Sequence, residues 1–334
     1  MPLLAPAPKT HAAPNPAPGG QNDATQPPGS AVDLSVVILN WNTRDYLVEA
    51  LCSITEQEWQ HNIEVIVVDN ASQLDNSVEV VQRDFPQVHL IANPTNVGFS
   101  AGNNIGLRLA RGRYLLFLNP DTIVHKSALD ILVDWMDAHP QVGACGPKLL
   151  NPDGSLQASC RSFPSIGAGF FRNTPLGRLF PNNPWTRSYL MQDFSHDREA
   201  GVDWLSGSAL LIRREALAQV GPWDEDFFMY CEDVDLCYRL KEASWARFYV
   251  PHATITHRIG AASDWAQGKM IRRFHASMLR FFFKHYARGW RILLAPIVLL
   301  GVGLRALGAV GKLYWNYFKG GRLGSMIQNK LGKG

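Results

Sequence analysis

Leu34-Ser35-Val36-Val37-Ile38-Leu39-Asn40 carries five apolar residues in seven and ends on an amide. A short continuous apolar run of this kind reads as a strand covered on both faces, as in a parallel sheet, rather than the alternating strand of a half-exposed one. Outward from it, residues 44–57 form an amphipathic helical pattern, and Glu64 to Asp69 is a second buried strand. A helix over Leu74–Asp84, a short strand at Val88–Ile91, a helix over Ala101–Arg111 and a strong strand at Tyr114–Leu118 follow. Strands alternating with helices predict an α/β fold with a Rossmann-like, mostly parallel central sheet flanked by helices. Ligands of such sheets bind beyond the carboxyl ends of the strands. The polar residues gather there: Asn40, Asp69 and Asn119 to Asp121.

The second half is less regular. Residues 151–200 are rich in Pro, Asn, Phe and Arg and are expected to be loop-rich. Order returns with a strand at Ala209–Ile212, a helix over Arg214–Val220, a helix beginning near Glu232, and strands at Ala246–Val250 and Thr254–His257. Residues 1–33 have no apolar periodicity and are expected to be a disordered Pro/Ala-rich tail without a secretory signal. Five cysteines, an odd number without paired metal-ligand spacing, fit a reducing compartment.

Charge is unevenly spread. The net +3 hides 13 Lys and Arg with no Asp or Glu from Trp265 onward, which leaves 19 basic and 29 acidic residues in the remainder. Within that basic tail, residues 269–286 read as a helix and 292–304 contain no charge. Thirteen helical residues reach about 20 Å, short of the roughly 30 Å hydrocarbon layer. An interfacial helix lying on an anionic membrane surface therefore suits the tail better than a clean span, and nucleic acid is not an expected partner. A helix packed on the core is the alternative.

Several polar residues have a chemical and a structural reading side by side. Asp69 can accept from a base N–H or a ribose hydroxyl, or cap the next helix. The stretch Asn96 to Asn104, with Gly98 and Asn103, lets backbone approach a ligand at a helix N-terminus, although glycine-rich turns are common for ordinary reasons. Asp121 can ligate a metal or serve a turn. Asp233, near Asp224, Glu225, Asp226 and Glu232, is a candidate general base if that crowding raises its proton affinity, or simply an acid suited to a helix start. His257 can join Asp121 on a metal, with Arg258 adding positive charge for phosphate.

Together these stretches resemble the inverting family 2 glycosyltransferases of the GT-A fold. The resemblance runs from about Leu34 to Gly260 and rests on Val36 to Asn42, Val67 to Ser72, Asn96 to Asn104, Leu118 to Asp121, Ser206 to Arg214 and Phe227 to Arg239, in that order. The sequence is most similar to the rhamnosyltransferase-like branch, bacterial enzymes of cell-surface polysaccharide assembly. The resemblance implies a nucleotide-sugar site at Asn40, Asp69, Asn96, Gly98, Asn103 and Asp121, Asp233 as catalytic base, and Mg²⁺ or Mn²⁺ on Asp121 and His257. Asn119 stands where many relatives have another Asp, which leaves the metal with fewer carboxylates. It further implies transfer of a sugar, rhamnose among the candidates, from a dTDP- or UDP-linked donor to a glycan or polyprenyl-linked acceptor.

The chain then divides into a 1–33 tail, a donor half over 34–150, an acceptor and catalytic half over 151–262, and a membrane-associating tail over 263–334. The expected address is the cytoplasmic face of a bacterial inner membrane, peripheral or monotopic. A non-catalytic sugar-nucleotide or glycan-binding protein of the same fold is the rival reading; it requires loss of the base or the metal ligands, and both are present.

Overall fold

In the computed structural model, which describes residues 31–172, 174–258 and 267–331, the chain begins with β1 (Leu34–Asn40), α1 (Arg44–Thr55), β2 (Ile63–Asp69), α2 (Ser77–Asp84), β3 (His89–Ala92), α3 (Phe99–Leu107) and β4 (Tyr114–Leu118). It continues with β5 (Thr122–Val124), α4 (Ala128–Ala138), β6 (Val142–Leu150), β7 (Leu156–Gln157), β8 (Cys160–Arg161), α5 (Ile166–Phe171), α6 (Pro175–Leu179) and α7 (Pro184–Leu190). Then come β9 (Ala200–Gly201), β10 (Trp204–Leu205), β11 (Ala209–Arg213), α8 (Arg214–Val220), α9 (Glu232–Glu242), β12 (Ala246–His257), α10 (Gln267–Phe281) and α11 (Ala295–Leu331).

The main sheet runs β3-β2-β1-β4-β11-β6-β12-β5, with β7 beside β6 and β9 beside β12. β1 pairs in parallel with β2 and β4, and β2 with β3, so Asn40 faces Asp69 in register at one carboxyl edge. β11 enters antiparallel between β4 and β6. One face of the sheet buries Leu47 and Leu51 of α1 with Leu129, Leu132 and Met136 of α4. The other buries Leu217 of α8, Trp223 and Leu236 of α9. Each fully buried aliphatic side chain of this kind contributes about 1.5–3 kcal/mol.

The expectations meet the structure unevenly. The helix expected from Leu74 begins only at Ser77, and Leu74 is exposed. Residues 122–150, unassigned from sequence, hold β5, α4 and β6, and β6 is a central strand. The two strands expected at 246–257 are one, with a register shift against β6 between Val250 and Thr254. Residues 151–200 contain three short helices as well as loops. The expected 1–33 tail lies outside the described residues except at 31–33. There Asp33 is already fastened: its N–H donates to Asn62 O (2.9 Å), and its carboxylate accepts from Arg113 Nε (2.8 Å).

Beyond α10, residues 282–286 form a π-type turn and 289–294 a 3₁₀ turn that lead into α11. Gly289–Trp315 is long and apolar enough to cross a membrane, and only 11% of its most apolar window is buried. Twenty-seven residues reach about 40 Å at helical rise, more than the roughly 30 Å hydrocarbon layer. Length alone thus does not force the tail to lie flat, as the thirteen-residue count implies.

Candidate active site

The carboxyl edge of β1 and β2 is a closed polar network. Asn40 Nδ2 donates to Asp69 Oδ2 (2.8 Å), and Thr43 Oγ1 donates to Asn40 Oδ1 (2.7 Å). Asp69 also accepts from Ser72 N (2.8 Å, on Oδ1) and Ser72 Oγ (2.7 Å, on Oδ2). Asn40 is fully buried, and its amide is bonded to Asp69. A carboxylate offers about four acceptor positions, so one side of Asp69 Oδ1 stays available to a ligand donor.

The Asn96–Asn104 stretch is held from within. Asn96 Oδ1 accepts from Asn70 Nδ2 (3.1 Å) and Gly98 N (3.0 Å), bracing the loop onto β2. Gly98 has φ +92°, and a Cβ there would lie 2.7 Å from Phe228 O. The close approach it permits is that of the Phe228 backbone. The first residues of α3 also reach the segment before α9: Phe99 N–H donates to Phe228 O (2.7 Å) and the Ser100 hydroxyl donates to Phe227 O (2.7 Å). One backbone donor at this helix N-terminus is therefore occupied by a carbonyl. Asn103 bonds Phe99 O inside its own helix, whereas its neighbour Asn104 reaches Trp223 O and Glu225 (2.9 Å each).

Asp121 and His257 do come together. His257 pairs with Thr122 across the antiparallel β12–β5 ladder, which sets its imidazole beside Asp121, with Nε2 3.3 Å from Oδ1. Both are nearly buried. His257 Nδ1 lies 2.6 Å from Gln157 Oε1, while Gln157 Nε2 donates to Asn151 Oδ1 and His257 O. Because that amide uses its hydrogens elsewhere, Oε1 accepts and Nδ1 carries the proton, leaving the Nε2 lone pair toward Asp121.

Asn119 Nδ2 stands 3.2 Å from the same nitrogen. Asp121 Oδ1 is buried without a hydrogen-bond partner. Two acceptors facing each other in a dry place fit a divalent cation between them. Among the described residues no group of three or more His, Cys, Asp or Glu converges; Asp121 and His257 face this point, with the Asn119 amide beside them. The Arg258 guanidinium, expected to meet phosphate, pairs with Glu49 instead, and the Arg258 backbone N–H donates to Asp121 O (2.9 Å).

Asp233 stands at the start of α9, after two consecutive left-handed residues, Tyr230 (φ +73°) and Cys231 (φ +64°). Non-glycine residues pay about 1–3 kcal/mol in that region, and here they swing the carboxylate toward β11. Asp233 Oδ2 accepts from Gly207 N (3.1 Å) and Oδ1 from Val234 N (2.8 Å). In the same turn, Ser208 O accepts from Asn119 N (2.9 Å). The Ser206–Gly207–Ser208 turn thus ties Asp233 to the strand end that carries Asp121.

Burial raises the proton affinity of Asp233, opposed by those two N–H groups and by Arg161. Glu232, wholly enclosed, is pushed well up by burial and by the charge of Asp233. The acid crowding expected around Asp233 is otherwise absent. Asp224 pairs with Lys284 (2.6 Å), Asp226 with Arg280, and Glu225 takes the Asn104 amide.

A Rossmann-like sheet with acidic and amide residues at its carboxyl edge, and a buried acid at a helix start, narrows the field, and the comparisons close it. The model of the family described as glycosyl transferase family 2 matches residues 35–220. The chain belongs to glycosyl transferase family 2. It is 33% identical over 269 residues to the N-acetylglucosaminyl-diphospho-decaprenol L-rhamnosyltransferase of Mycobacterium tuberculosis, covering 77% of this chain and 86% of that protein. To rhamnosyltransferase WbbL of Escherichia coli K12 it is 28% identical over 224 residues, covering 65% and 80%.

The fold is shared with GalNAc-T7 solved with UDP, GalNAc and Mn²⁺ (TM-score 0.57, 16% identity, 76% of this chain and 48% of that one). It is shared as well with the mannosyltransferase PcManGT of Pyrobaculum calidifontis solved with GDP-Man and Mn²⁺ (0.53, 20%, 87% and 78%). This family 2 member is a GT-A glycosyltransferase of the rhamnosyltransferase-like branch.

Four positioning groups escape the residue-by-residue reading: Gln157, Asn104, the Ser206–Gly207–Ser208 turn and Asp235. Only the turn carries a sequence signal, since Ser-Gly-Ser before an apolar strand marks a tight approach. Asp235 is fully buried, bonded to Arg239 Nε (2.8 Å), Lys284 Nζ (2.7 Å) and His285 Nε2 (2.7 Å). Part of the tail's positive charge is therefore spent on α9 and its approach.

Proposed function

We propose that this glycosyltransferase works with inversion, moving rhamnose from a dTDP- or UDP-linked donor to a hydroxyl of a glycan carried on a polyprenyl-type lipid. In this reading it serves cell-surface glycan assembly at the cytoplasmic face of a bacterial inner membrane. The donor side is Asp69, supported by Asn40, Asn96, Gly98 and Asn103 as framework; 34–150 is the donor half, 151–262 the acceptor half and 263–334 the membrane-associating tail.

Asp233 takes the proton of the acceptor hydroxyl as that oxygen attacks the anomeric carbon. The bond to the nucleoside diphosphate breaks on the opposite face, and no covalent enzyme intermediate forms. Asp121 and His257 would hold Mg²⁺ or Mn²⁺, which when bound supplies positive charge for the leaving diphosphate. The Ser206–Gly207–Ser208 turn carries the proposal, because one peptide segment bonds both Asp233 and the strand end of Asp121. Base and leaving-group site are thereby held in fixed relation.

The acceptor class draws support from the relative whose name specifies a diphospho-decaprenol acceptor and from the apolar α11. Purified full-length protein, given a panel of nucleotide-sugars and a lipid-linked N-acetylhexosamine, is expected to release nucleoside diphosphate only with divalent metal and to invert the anomeric centre by NMR. No release with any donor would favour the binding-protein reading; retention would exclude Asp233 as base.

A further inference from the structure

Beside Asp233 lies a cavity of about 350 Å³ between α9, the α5 segment and the tail helices. Its walls are mostly apolar, with Ile166, Phe170, Phe281, Val298 and Val302 among them. Three arginines also line it: Arg161 from β8, Arg172 after α5 and Arg305 from α11. Elsewhere the arginines of this chain are commonly matched to acids, as Arg111 is to Glu64, Arg113 to Asp137 and Arg239 to Asp235.

No ion pair with a described residue involves these three. Arg161 stands over the rings of Tyr189 (6.0 Å) and Trp204 (5.7 Å). Arg172 lies over Tyr189 (5.0 Å) and donates to its hydroxyl at 3.3 Å. Arg305 lies over Phe274 (5.7 Å). Burial and then the like charge of Arg161 weaken the hold of Arg172 on its proton, the Tyr189 contacts notwithstanding. Glu232 and Asp233 line the same cavity, and the charge of Arg161 acts on Asp233. Arg172 and Arg305 have no such carboxylate partner among the described residues, so their like charges in one half-enclosed apolar space favour a further anion between them.

The ligand that answers this site is polyanionic at one end and apolar at the other. Ile297, Val302 and Arg305 of α11 line the cavity, while Leu300, Leu304 and Leu307 on other faces of the same helix are exposed. The cavity is therefore walled on one side by a helix that exposes a run of large apolar side chains, Leu299, Leu300, Leu304 and Leu307 among them.

We infer that Arg161, Arg172 and Arg305 seat the phosphates of a lipid diphosphate acceptor, with the first carbons of its chain against α11 and its sugar toward Asp233. This rests on the lipid-linked acceptor of the preceding reading and adds the residues that select it. Arginine matches phosphate oxygens with two parallel N–H donors, and a partly desolvated charged contact of this sort is worth about tenfold or more in affinity.

The test uses full-length protein in detergent and geranylgeranyl diphosphate as the probe, with geranylgeraniol and inorganic pyrophosphate for comparison. Arg172→Gln and Arg305→Gln are each expected to weaken probe binding about tenfold, and together about 100-fold. Geranylgeraniol binding, Mn²⁺-dependent nucleoside diphosphate binding and thermal unfolding should be unchanged, and Arg172→Lys with Arg305→Lys should recover part of the loss.

Equal binding of the probe by wild type and the double Gln variant overturns the inference, as does wild type that prefers the diphosphate to the alcohol by less than about tenfold. Inorganic pyrophosphate bound as tightly as the probe would make this a free-phosphate site and remove the lipid. Sugar transfer that persists while probe binding ignores the arginines sinks this inference and leaves the proposed function. Arginine-dependent binding without transfer to any acceptor does the reverse.

Discussion

Asp235 and His285 meet across the seam between α9 and the tail, Oδ1 to Nε2 at 2.7 Å, with both side chains essentially out of solvent. Lys284 and Arg239 share the same carboxylate, so one acid one turn into α9 anchors the basic segment that walls the cavity beside Asp233. Asp235→Ala strands buried positive charge and is expected to cost about 3–5 kcal/mol, measured as a lower urea midpoint. The loss has a pH signature. Burial pushes the Asp235 carboxyl up, but the His285 hydrogen bond and the charges of Arg239 and Lys284 outweigh it and hold the group below its ordinary 3.8. A depressed folded value gives stability that is complete above the unfolded value and lost as pH falls through the folded one. The gap between wild type and variant should therefore be full near neutrality and close on acidification below about pH 4.

Gly98→Ala tests whether the donor loop and the catalytic approach are one mechanical unit. Its φ of +92° is hard for alanine, and the added methyl would meet Phe228 O at 2.7 Å and the Phe228 ring at 2.8 Å. The expected destabilisation is about 1–3 kcal/mol. Since Phe228 lies five residues before Asp233, kcat should fall as well as the unfolding midpoint. A variant with normal kcat and a lowered midpoint would show the loop to be packing alone.

How far the sequence carries the structure depends on which interactions are local. β1, β2 and β4 are legible because a strand covered on both faces must be apolar along its length, and they set Asn40, Asp69 and Asp121 at one edge. β6 is hidden by Gly143, Gly146 and Pro147, which read as turn residues although the strand sits mid-sheet beside β12. α4 does carry an apolar pattern at Leu129, Leu132, Val133 and Met136. It is readable once β6 gives it somewhere to return. Asp121 and His257 are 136 positions apart, and only the β12–β5 pairing, through Thr122, brings them to 3.3 Å. Gln157, Asp235 and the three cavity arginines owe their roles to tertiary neighbours, so no spacing announces them. Asn103 and Asn104 make the same point at one-residue scale: helix phase alone turns one inward to its own turn and the other toward Trp223.

Gln157 offers a test of the proposed metal pair that leaves Asp121 and His257 intact. Its Oε1 fixes the His257 proton on Nδ1, and its amide hydrogens hold Asn151 and the β12 end. In Gln157→Leu the ring is free to place its proton on Nε2, facing Asp121. Losing a partner that orients a ligand typically weakens metal affinity about 10–100-fold. The Mn²⁺ concentration for half-maximal activity should rise by that order, with maximal kcat at saturating metal changing less. His257→Ala should raise it further. An unchanged Mn²⁺ dependence in both variants would remove His257 from the metal site.

The base assignment can be tested by moving a pH profile rather than abolishing it. Burial raises the Asp233 carboxyl above its ordinary 3.8, and the N–H groups of Gly207 and Val234 and the positive charge of Arg161 pull it back. Only the ionised form accepts a proton, so kcat/KM must climb with pH through this group's value. Arg161→Gln removes an opposite charge and favours the protonated form; the acid limb should shift to higher pH, and Arg161→Lys should restore it. Asp233→Asn keeps an oxygen for the Gly207 N–H but cannot take a proton. It should lower kcat by about 10²–10⁴-fold while nucleoside diphosphate affinity stays near wild type. An acid limb that ignores Arg161 while Asp233→Asn retains turnover would place the proton acceptor on another residue, with Glu232, enclosed and without a partner for Oε2, the neighbour to test next.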